Sequence, residues 1–279
     1  MNKYELTHAR HDHVFCLAPG LFRSLQKGER QKLEIVYDLG GGRRIEFKGP
    51  EMLGTDDLRV LQGLVAMAGP GGKKLTSESG SEFGQQLWRD LEAHNSSEAL
   101  VVIGSFRQLA HEINYKSLDD TASLRECIER LWTVAIIVQD GGRRGYRILS
   151  QYKSDSKSGK LCIALNPRIT HAVLGNGRYV YIDMEEVRRL QGGAARLIHQ
   201  RLCGFIDPGK SGRIGLETLC SYVWPSATTN KNTAKTRRGK AKKALSELDV
   251  VGWDIEEYAT NKWEIKRPRS HANATQIPR

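Results

Sequence analysis

The amino-acid sequence predicts an α+β fold in which three helices followed by a β-hairpin occur twice. In the first half, apolar residues recur at helical spacing over residues 55–68, 105–113 and 121–132. Two β runs around a glycine turn then cover residues 134–152, and a further strand is expected at 161–167. The second half repeats the order, with helices at 192–206, 216–224 and 229–248 and a hairpin at 252–268. This order is typical of the winged helix-turn-helix, so we predict two tandem winged-helix domains with each hairpin as a wing.

The repeat divides the chain at Asn166-Pro167. Residues 1–166 are expected to form an N-terminal extension and the first winged helix, and residues 167–270 the second. Ahead of the first helix, LEIVYDLGGGRRIEF (33–47) alternates apolar and polar residues on both sides of a glycine run, which predicts a separate hairpin. We expect residues 271–279 to be a disordered tail.

The charge of the chain is strongly and unevenly basic. There are 43 Lys and Arg against 32 Asp and Glu, a net charge of +11 at pH 7, and +6 of it falls within residues 228–279. This excess suggests an anionic partner such as nucleic acid or an acidic membrane surface.

No apolar run approaches the roughly 18 residues of a membrane span. The five scattered cysteines form no CxxC pair, which favours reduced thiols in a cytosolic protein.

The most basic stretch, TNKNTAKTRRGKAKKAL (229–245), has seven basic residues among seventeen and no acid. On a helix, its apolar stripe consists of Ala234, Ala241, Leu245 and Leu248. The opposite face holds Asn232, Lys235, Thr236, Gly239, Lys240 and Lys243. Lysines neutralise phosphates, Asn and Thr reach base edges, and glycine lets the backbone come close, so we predict a helix that reads duplex DNA. The alternative is a solvated linker, which the apolar stripe disfavours.

Further DNA contacts are predicted around this helix and in the first unit. Beside the stripe, Arg237, Arg238 and Lys242 are expected to contact phosphates, and the second wing adds Lys262, Lys266 and Arg267. The first unit offers Ser105 and Arg107 at a helix start, and Arg143, Arg144 and Arg147 in its hairpin. A hairpin tip that only keeps a turn soluble is an equal alternative for the last three.

Five stretches resemble one family: LAPGLFR (17–23), RIEFKGPEMLGTDDLRVLQGLVAMAGP (44–70), ECIERLW (126–132), HQRLCGFIDPGKSG (199–212) and TLCSYVWP (218–225). They are similar to the replication initiators of IncQ-type plasmids, the RepC proteins, in the same order and across most of the chain. The resemblance implies tandem winged-helix domains that bind iterons, which are direct repeats in the plasmid origin.

The same resemblance implies the partners and the biological setting. An initiator of this family would help open adjacent AT-rich DNA, bring in the plasmid-encoded helicase and primase, and have no catalytic activity and no cofactor. We therefore expect a protein of the bacterial cytoplasm associated with plasmid DNA and not with a membrane, as a monomer or a homodimer. The sequence leaves open a winged-helix transcriptional repressor, which would bind a promoter and recruit no replication protein.

Two motifs point to other functions. Residues 204–211, GFIDPGKS, satisfy the P-loop pattern of nucleotide hydrolases, but that mechanism needs a strand before the loop and a helix after it. Here a helix is expected before it and an extended RIGL after it, so we predict a turn. His8, His11, His13 and Cys16 offer metal-ligand types, yet we expect them to belong to a polar N-terminal arm. In His11-Asp12-His13, Asp12 stands where a rolling-circle nickase needs a hydrophobic residue.

Overall fold

The structure of the protein is a computed structural model. It describes residues 6–26, 28, 30–71, 73–75, 99–118, 121–155, 159–176 and 178–269. The expected tail at 271–279 lies outside the described residues. Across the described ranges, no helix combines the length and the apolar character that a membrane crossing requires.

The helices and strands of the described residues are named here in chain order. Up to residue 165 they are β1 (His8–Asp12), α1 (His13–Leu17), β2 (Leu33–Gly40), β3 (Arg43–Gly49), α2 (Thr55–Gly71), β4 (Lys73–Leu75), β5 (Ala99–Ser105), α3 (Phe106–Glu112), α4 (Thr121–Thr133), β6 (Ala135–Gln139), β7 (Arg143–Arg147), β8 (Leu149–Ser154) and β9 (Lys160–Leu165). Beyond it they are α5 (Pro167–Leu174), β10 (Tyr179–Asp183), α6 (Met184–Arg189), α7 (Gly193–Phe205), β11 (Ser211–Gly215), α8 (Leu216–Val223), α9 (Lys231–Val250), β12 (Asp254–Ala259) and β13 (Lys262–Lys266).

The first winged helix is built from α2, α3 and α4 with β5, β8 and β9. The three helices pack on one another, and the apolar positions of α4 that face inward are Leu124, Cys127, Ile128 and Leu131. Ser105 caps α3, since its side chain accepts a hydrogen bond from the backbone N–H of Gln108 at 3.1 Å. β5 pairs with β9 and β9 with β8, so the strand before α3 joins the hairpin that follows α4. That pairing closes a winged-helix unit.

The hairpin at 135–147 forms as predicted, but its assignment as the first wing is wrong. β6 pairs with β3, and the four strands lie in the order β2-β3-β6-β7. The side chains of Ile45, Phe47 and Ile136 in this sheet are fully buried. This burial of apolar surface explains why β6 pairs with the hairpin at 33–49. The wing position is taken by β8 and β9. The predicted strand at 161–167 is therefore the closing strand of the first wing.

The second winged helix follows the predicted order. α7, α8 and α9 pack on one another, and β11, before α8, pairs with β13, which pairs with β12 in the wing. Asn261 adopts a positive φ of 58° in the tight turn between β12 and β13, a conformation that asparagine tolerates. The inner side of the wing is formed by the buried side chains of Trp253, Trp263 and Ile265. The predicted α+β fold of two tandem winged helices is confirmed.

The N-terminal segment connects the two units. β1 pairs antiparallel with β10, so a strand from the expected first unit, 1–166, lies in a sheet with a strand of 167–270. A buried hydrogen bond of 2.6 Å also joins Nε2 of Gln62 in α2 to Oε1 of Gln200 in α7. The expectation of a polar arm is wrong, because Ala9, His11 and Cys16 are almost fully buried.

Candidate nucleic-acid interface

The candidate interface centres on α9, the third helix of the second winged helix. The helix begins at Lys231 because the side chain of Asn230 accepts hydrogen bonds from the backbone N–H groups of Asn232 (2.9 Å) and Thr233 (3.0 Å). Its buried stripe consists of Ala241, Ala244, Leu245 and Leu248. The stripe packs against α7 and α8, which leaves the opposite side of the helix free.

The free side of α9 carries the residues that the sequence pattern selected. The exposed members are Asn232, Lys235, Thr236, Arg238, Gly239, Lys240, Lys242 and Lys243. The first acid in the helix is Glu247, so the exposed side of the first four turns has no carboxylate of its own. Such a surface favours a polyanion, because each lysine can neutralise one phosphate without first breaking an ion pair within the helix.

The two arginines of α9 are held in place before any ligand binds. Arg237 donates from Nη1 to the carbonyl of Ser226 at 2.7 Å and lies over the Trp224 ring at 5.7 Å. Arg238 donates from Nε to the carboxylate of Glu217 at 2.8 Å. The orientation of Arg237 is fixed by groups that carry no negative charge, whereas Arg238 already has an acidic partner. Arg237 is therefore the better prepared of the two for a phosphate.

The second wing places two of its three predicted cations on the surface. Lys262 and Lys266 are exposed in β13. Lys242 of α9 holds its ammonium 5.8 Å from the ring centre of Trp263 in the same strand, so the basic helix contacts the wing.

The prediction that Arg267, the third cation of the wing, contacts DNA is wrong. Its side chain is 3% exposed and donates from Nη1 to the carbonyls of Cys203 (2.9 Å) and Ile206 (3.0 Å). Nη2 donates to the carbonyl of Tyr181. A guanidinium enclosed by three backbone carbonyls cannot reach a phosphate, so Arg267 joins β10 and α7 to the end of the wing.

The predicted contacts of the first unit lie on two different elements. Ser105 is engaged as the cap of α3, and Arg107 is exposed in the first turn of that helix. The side chains of β7 that face solvent include Arg143, Arg144 and Arg147. Nη2 of Arg143 lies 3.8 Å from Oε2 of Glu46, and Cζ of Arg147 lies 4.1 Å from the ring centre of Trp132. A role of these residues on DNA stays a prediction.

The P-loop pattern occupies a helix-to-strand turn. Gly204 belongs to the last turn of α7, and Ser211 begins β11. Gly209 has a φ of 77°, and the backbone N–H of Lys210 donates to the carbonyl of Asp207 at 3.0 Å, which closes a tight turn. A nucleotide-binding loop needs the reverse order, strand then helix, because helix amides hold the phosphates. The predicted turn is confirmed.

The N-terminal histidines do not form a metal cluster with Cys16. Among the described residues, only Glu186, His199 and Cys203 bring three ligand atoms within 4.8 Å of one another. His11 is fully buried, and burial lowers its pKa to about 4, so the ring is neutral. Asp12 caps α1 by accepting from the backbone N–H of Val14 and pairs with Arg168 at 3.1 Å, a structural role.

The group of Glu186, His199 and Cys203 is explained by a hydrogen-bonded ion pair. Nε2 of His199 lies 2.6 Å from the Glu186 carboxylate, which also accepts from Nε1 of Trp253 at 3.0 Å. Two ligands of one tetrahedral zinc, each about 2.0–2.1 Å from the ion, lie about 3.3 Å apart. The 2.6 Å separation is that of a charge-assisted hydrogen bond. This network ties α6 and α7 to the residue that precedes the second wing.

A cleft beside α9 was not predicted from the sequence. It has a volume of about 820 Å³ and lies between the N-terminal half of α9 and a segment near residue 25. Its cationic lining residues are Arg23, Arg30, Arg237 and Lys240. LFRSLQKGERQK (21–32) has four basic residues and one acid, a visible charge excess, but only the tertiary fold brings it beside a helix two hundred residues later.

Two tandem winged helices, one with an anchored basic third helix, define a DNA-binding protein of the double winged-helix class. The chain belongs to the replication protein C (RepC) family, whose sequence model matches residues 3–269. The family resemblance predicted from five sequence stretches is confirmed, and DNA binding in the initiation of replication is the activity of this family.

Comparison with solved structures gives the same fold. The chain is similar to domains 2 and 3 of RctB with a TM-score of 0.56 and 9% identity, over 92% of this chain and 98% of that chain. It is also similar to the Pi initiator protein in complex with iteron DNA, with a TM-score of 0.50 and 10% identity, over 96% of this chain and 99% of that chain. No sequence among the curated proteins matches the chain significantly.

Proposed function

We propose that the protein is a sequence-specific, double-stranded DNA-binding initiator that binds direct repeats at a plasmid origin. The observation that carries the proposal is α9, which is fixed to its unit by a buried stripe and presents a side without acids. Membership of the RepC family supports the replication role. The similar Pi initiator was solved with iteron DNA, which supports repeats as the target.

The second unit is the main reader in this proposal. An α-helix fits the major groove, which is about 12 Å wide, and the free side of α9 is the part that enters. Asn232 and Thr236 offer short polar side chains to base edges, while Gly239 lets the backbone approach. Lys235 and Lys243 lie where phosphates border the groove. Lys262 and Lys266 extend the phosphate contacts along the wing.

The first unit supplies further backbone contacts through Arg107 and the β7 arginines. Two readers on one chain cover a longer site than one, which suits a direct repeat read without a symmetric dimer. A homodimer on DNA is the alternative arrangement. The division into units of 1–166 and 167–270 is part of this proposal, with β1 as the strand that holds them together.

Binding is proposed to precede two later steps. The bound protein helps to open adjacent AT-rich DNA and brings in the plasmid-encoded helicase and primase, in the bacterial cytoplasm on plasmid DNA. No catalytic residue and no cofactor of the chain takes part.

The experiment that tests this role is plasmid establishment. A reporter plasmid that carries the candidate origin, together with the helicase and primase genes, is introduced into cells that do or do not express this chain. We expect colonies only with the wild-type chain, and none with the Lys235→Gln/Lys243→Gln variant. Repeat binding in vitro without plasmid establishment would contradict initiation and favour a transcriptional repressor.

A further inference from the structure

We propose that residues 23–26, 30 and 31, here called the N-terminal wall, form a second DNA-contact element next to α9. This wall, the N-terminal half of α9, Met52 and residues 224–226 line the 820 Å³ cleft, and the cleft holds one phosphodiester strand of the bound duplex. The inference rests on the proposed function and adds the N-terminal wall to the contacts proposed for the face of α9, for the second wing, and for Arg107 and the β7 arginines.

The cleft is formed before DNA binds, because backbone hydrogen bonds fix its wall. The N–H of Arg23 donates to the carbonyl of Leu53 at 3.1 Å, and the N–H of Ser24 donates to the carbonyl of Val223 at 2.9 Å. Val223 ends α8, the helix on which α9 packs. A wall tied to the same scaffold as α9 keeps its distance from α9, so a ligand between them meets two fixed surfaces.

The other end of the wall is fixed by side chains. Arg30 donates from Nη1 to the buried carboxylate of Asp57 at 2.8 Å and to the carbonyl of Met52 at 3.0 Å. Arg30 is therefore largely neutralised, and its role in the cleft is to hold the wall.

The remaining charges of the cleft face no acid among the described residues. None of the described residues that line it is Asp or Glu. Nε of Arg23 donates to the carbonyl of Gly20 at 2.9 Å, and Arg237 donates to a carbonyl as well, so neither guanidinium has a carboxylate partner within the described part of the chain. Burial lowers the pKa of Arg23, because its guanidinium is partly removed from water.

The volume and the lining residues of the cleft favour a DNA strand as its ligand. Asn232, Thr236 and Lys240, from the side of α9 that is proposed to face the bases, also line it. A strand that borders the groove occupied by α9 therefore passes directly into the cleft. Neutral donors on both walls, including Gln26, Gln31 and Thr233, suit phosphate and sugar oxygens, which take most protein–DNA hydrogen bonds. A cleft volume of about 820 Å³ suits a chain of phosphates better than one small ion.

The test changes charge at exposed glutamines of the wall. Gln26 and Gln31 are replaced by Lys and, separately, by Glu, and the same two changes at Gln191 serve as the control. Gln191 is also exposed, and its backbone N–H donates to Glu247 near the C-terminal end of α9. Binding is measured on a repeat duplex and on a scrambled duplex at 50 and 200 mM salt.

One added phosphate contact increases the slope of log K against log salt by about 0.9, so the affinity ratio between the two salt concentrations grows about threefold. We expect this change for Gln26→Lys and Gln31→Lys on both duplexes, a weaker salt dependence for the Glu variants, and no change of slope at Gln191. Thermal melting confirms that each variant is folded. Because Gln26 and Gln31 are changed separately, the test still gives a result if the variants at one position do not fold.

The outcomes separate the two proposals. If the wild-type chain prefers the repeat but the wall variants behave like the Gln191 variants, the cleft proposal is overturned and the proposed function stands. If the wall variants change the salt slope while the wild-type chain binds both duplexes equally, the cleft holds DNA and repeat recognition is wrong.

Discussion

At the scale of single residues, burial decides which basic side chains are available to a polyanion. Arg188 and Arg267 are buried and donate to backbone carbonyls, whereas the lysines of α9 are exposed. A charge leaves water only when hydrogen bonds replace its hydration, so enclosed arginines stabilise the fold and exposed lysines bind ligands. In the sequence, buried arginines and exposed lysines contribute equally to the excess of positive charge. For this reason the prediction that Arg267 contacts DNA is wrong.

Replacing lysines of α9 is expected to weaken DNA binding without weakening the fold. For Lys235→Gln and Lys243→Gln we predict that each change lowers the salt slope by about 0.9, because each removes one phosphate contact. Melting temperature should stay nearly unchanged, since both side chains are exposed. Gln191→Glu changes the net charge equally and should leave the slope unaltered. A large drop in melting temperature for either lysine variant would show that α9 is placed wrongly.

Arg267 and the wing lysines should show opposite effects. Arg267→Gln is expected to destabilise the fold by about 1–3 kcal/mol, because carbonyls that it satisfies become unpaired, and to leave the salt slope unchanged. Lys262→Gln and Lys266→Gln should reduce the slope and leave the melting temperature nearly the same. Chemical denaturation and salt titration of all three variants check this. Loss of slope with intact stability in Arg267→Gln is the result that would contradict its structural role.

The His199–Glu186 pair predicts how stability depends on pH. Burial alone would lower the pKa of His199, but Cys203 and the Glu186 carboxylate raise it to about 10, above its ordinary value of 6.5. The contribution of His199 is then complete below pH 6.5 and is lost as the pH rises towards 10. The pKa of Glu186 is lowered, despite the opposing effect of burial, by hydrogen bonds and attraction from His199, so stability is also lost as the pH falls below 4.5.

The measurement is the melting temperature between pH 6.5 and 10 for the wild-type chain and two histidine variants. We expect His199→Gln to have a lower melting temperature that changes less over this range, whereas His171→Gln, at an exposed site, follows the wild-type curve. Parallel curves for wild type and His199→Gln would mean that His199 is not charged in the folded protein.

At the scale of elements, α9 combines weak helix formers with a strong anchor. Thr, Asn and Gly, which favour a helix only weakly, lie among the lysines of its exposed side, and the buried stripe of Ala and Leu compensates for them by packing on α7 and α8. The composition is understandable for a helix selected to approach DNA closely and not for helix stability alone.

Gly239→Ala separates these two requirements. A Cβ at residue 239 meets no atom within 4 Å, so alanine should stabilise the helix by about 1 kcal/mol. If α9 enters a groove at this point, the same methyl group should reduce affinity for the repeat. Ser246→Ala, also at an exposed site of α9, is the control that should leave DNA binding unchanged. Higher stability with unaltered affinity would show that Gly239 does not approach DNA.

Local patterns predicted the elements better than they predicted their partners. The hairpins at 33–47 and 252–268 and the helix at 229–248 were predictable because caps, turn glycines and apolar periodicity act within a few residues. The pairing of β6 with β3 was not, since it joins segments about ninety residues apart, and an equally good hairpin follows at β8 and β9. The burial of β1 could not be predicted either, because its partner β10 is distant in the sequence and the polar residues of β1 do not indicate a buried strand.

At the scale of the whole molecule, the two winged helices share packing that links their positions. β1 crosses from one unit to β10 in the other, and Gln62 and Gln200 bond between α2 and α7. In the proposed function, two readers held in this way present two surfaces at a set spacing, which matches a repeat of one length better than a variable one. The cleft beside α9 is lined by residues of both units, because its wall belongs to residues 1–166 and its other side to residues 167–270.

The measurement that tests the central claim most directly is the affinity of the purified wild-type chain for a duplex with the candidate repeat and for a scrambled duplex, titrated across salt. The account predicts a strong preference for the repeat and an affinity that falls steeply as salt rises, by about 0.9 in slope for each phosphate contact. Equal affinity for both duplexes at every salt concentration would contradict sequence-specific reading by α9 and reduce its basic surface to general attraction for DNA.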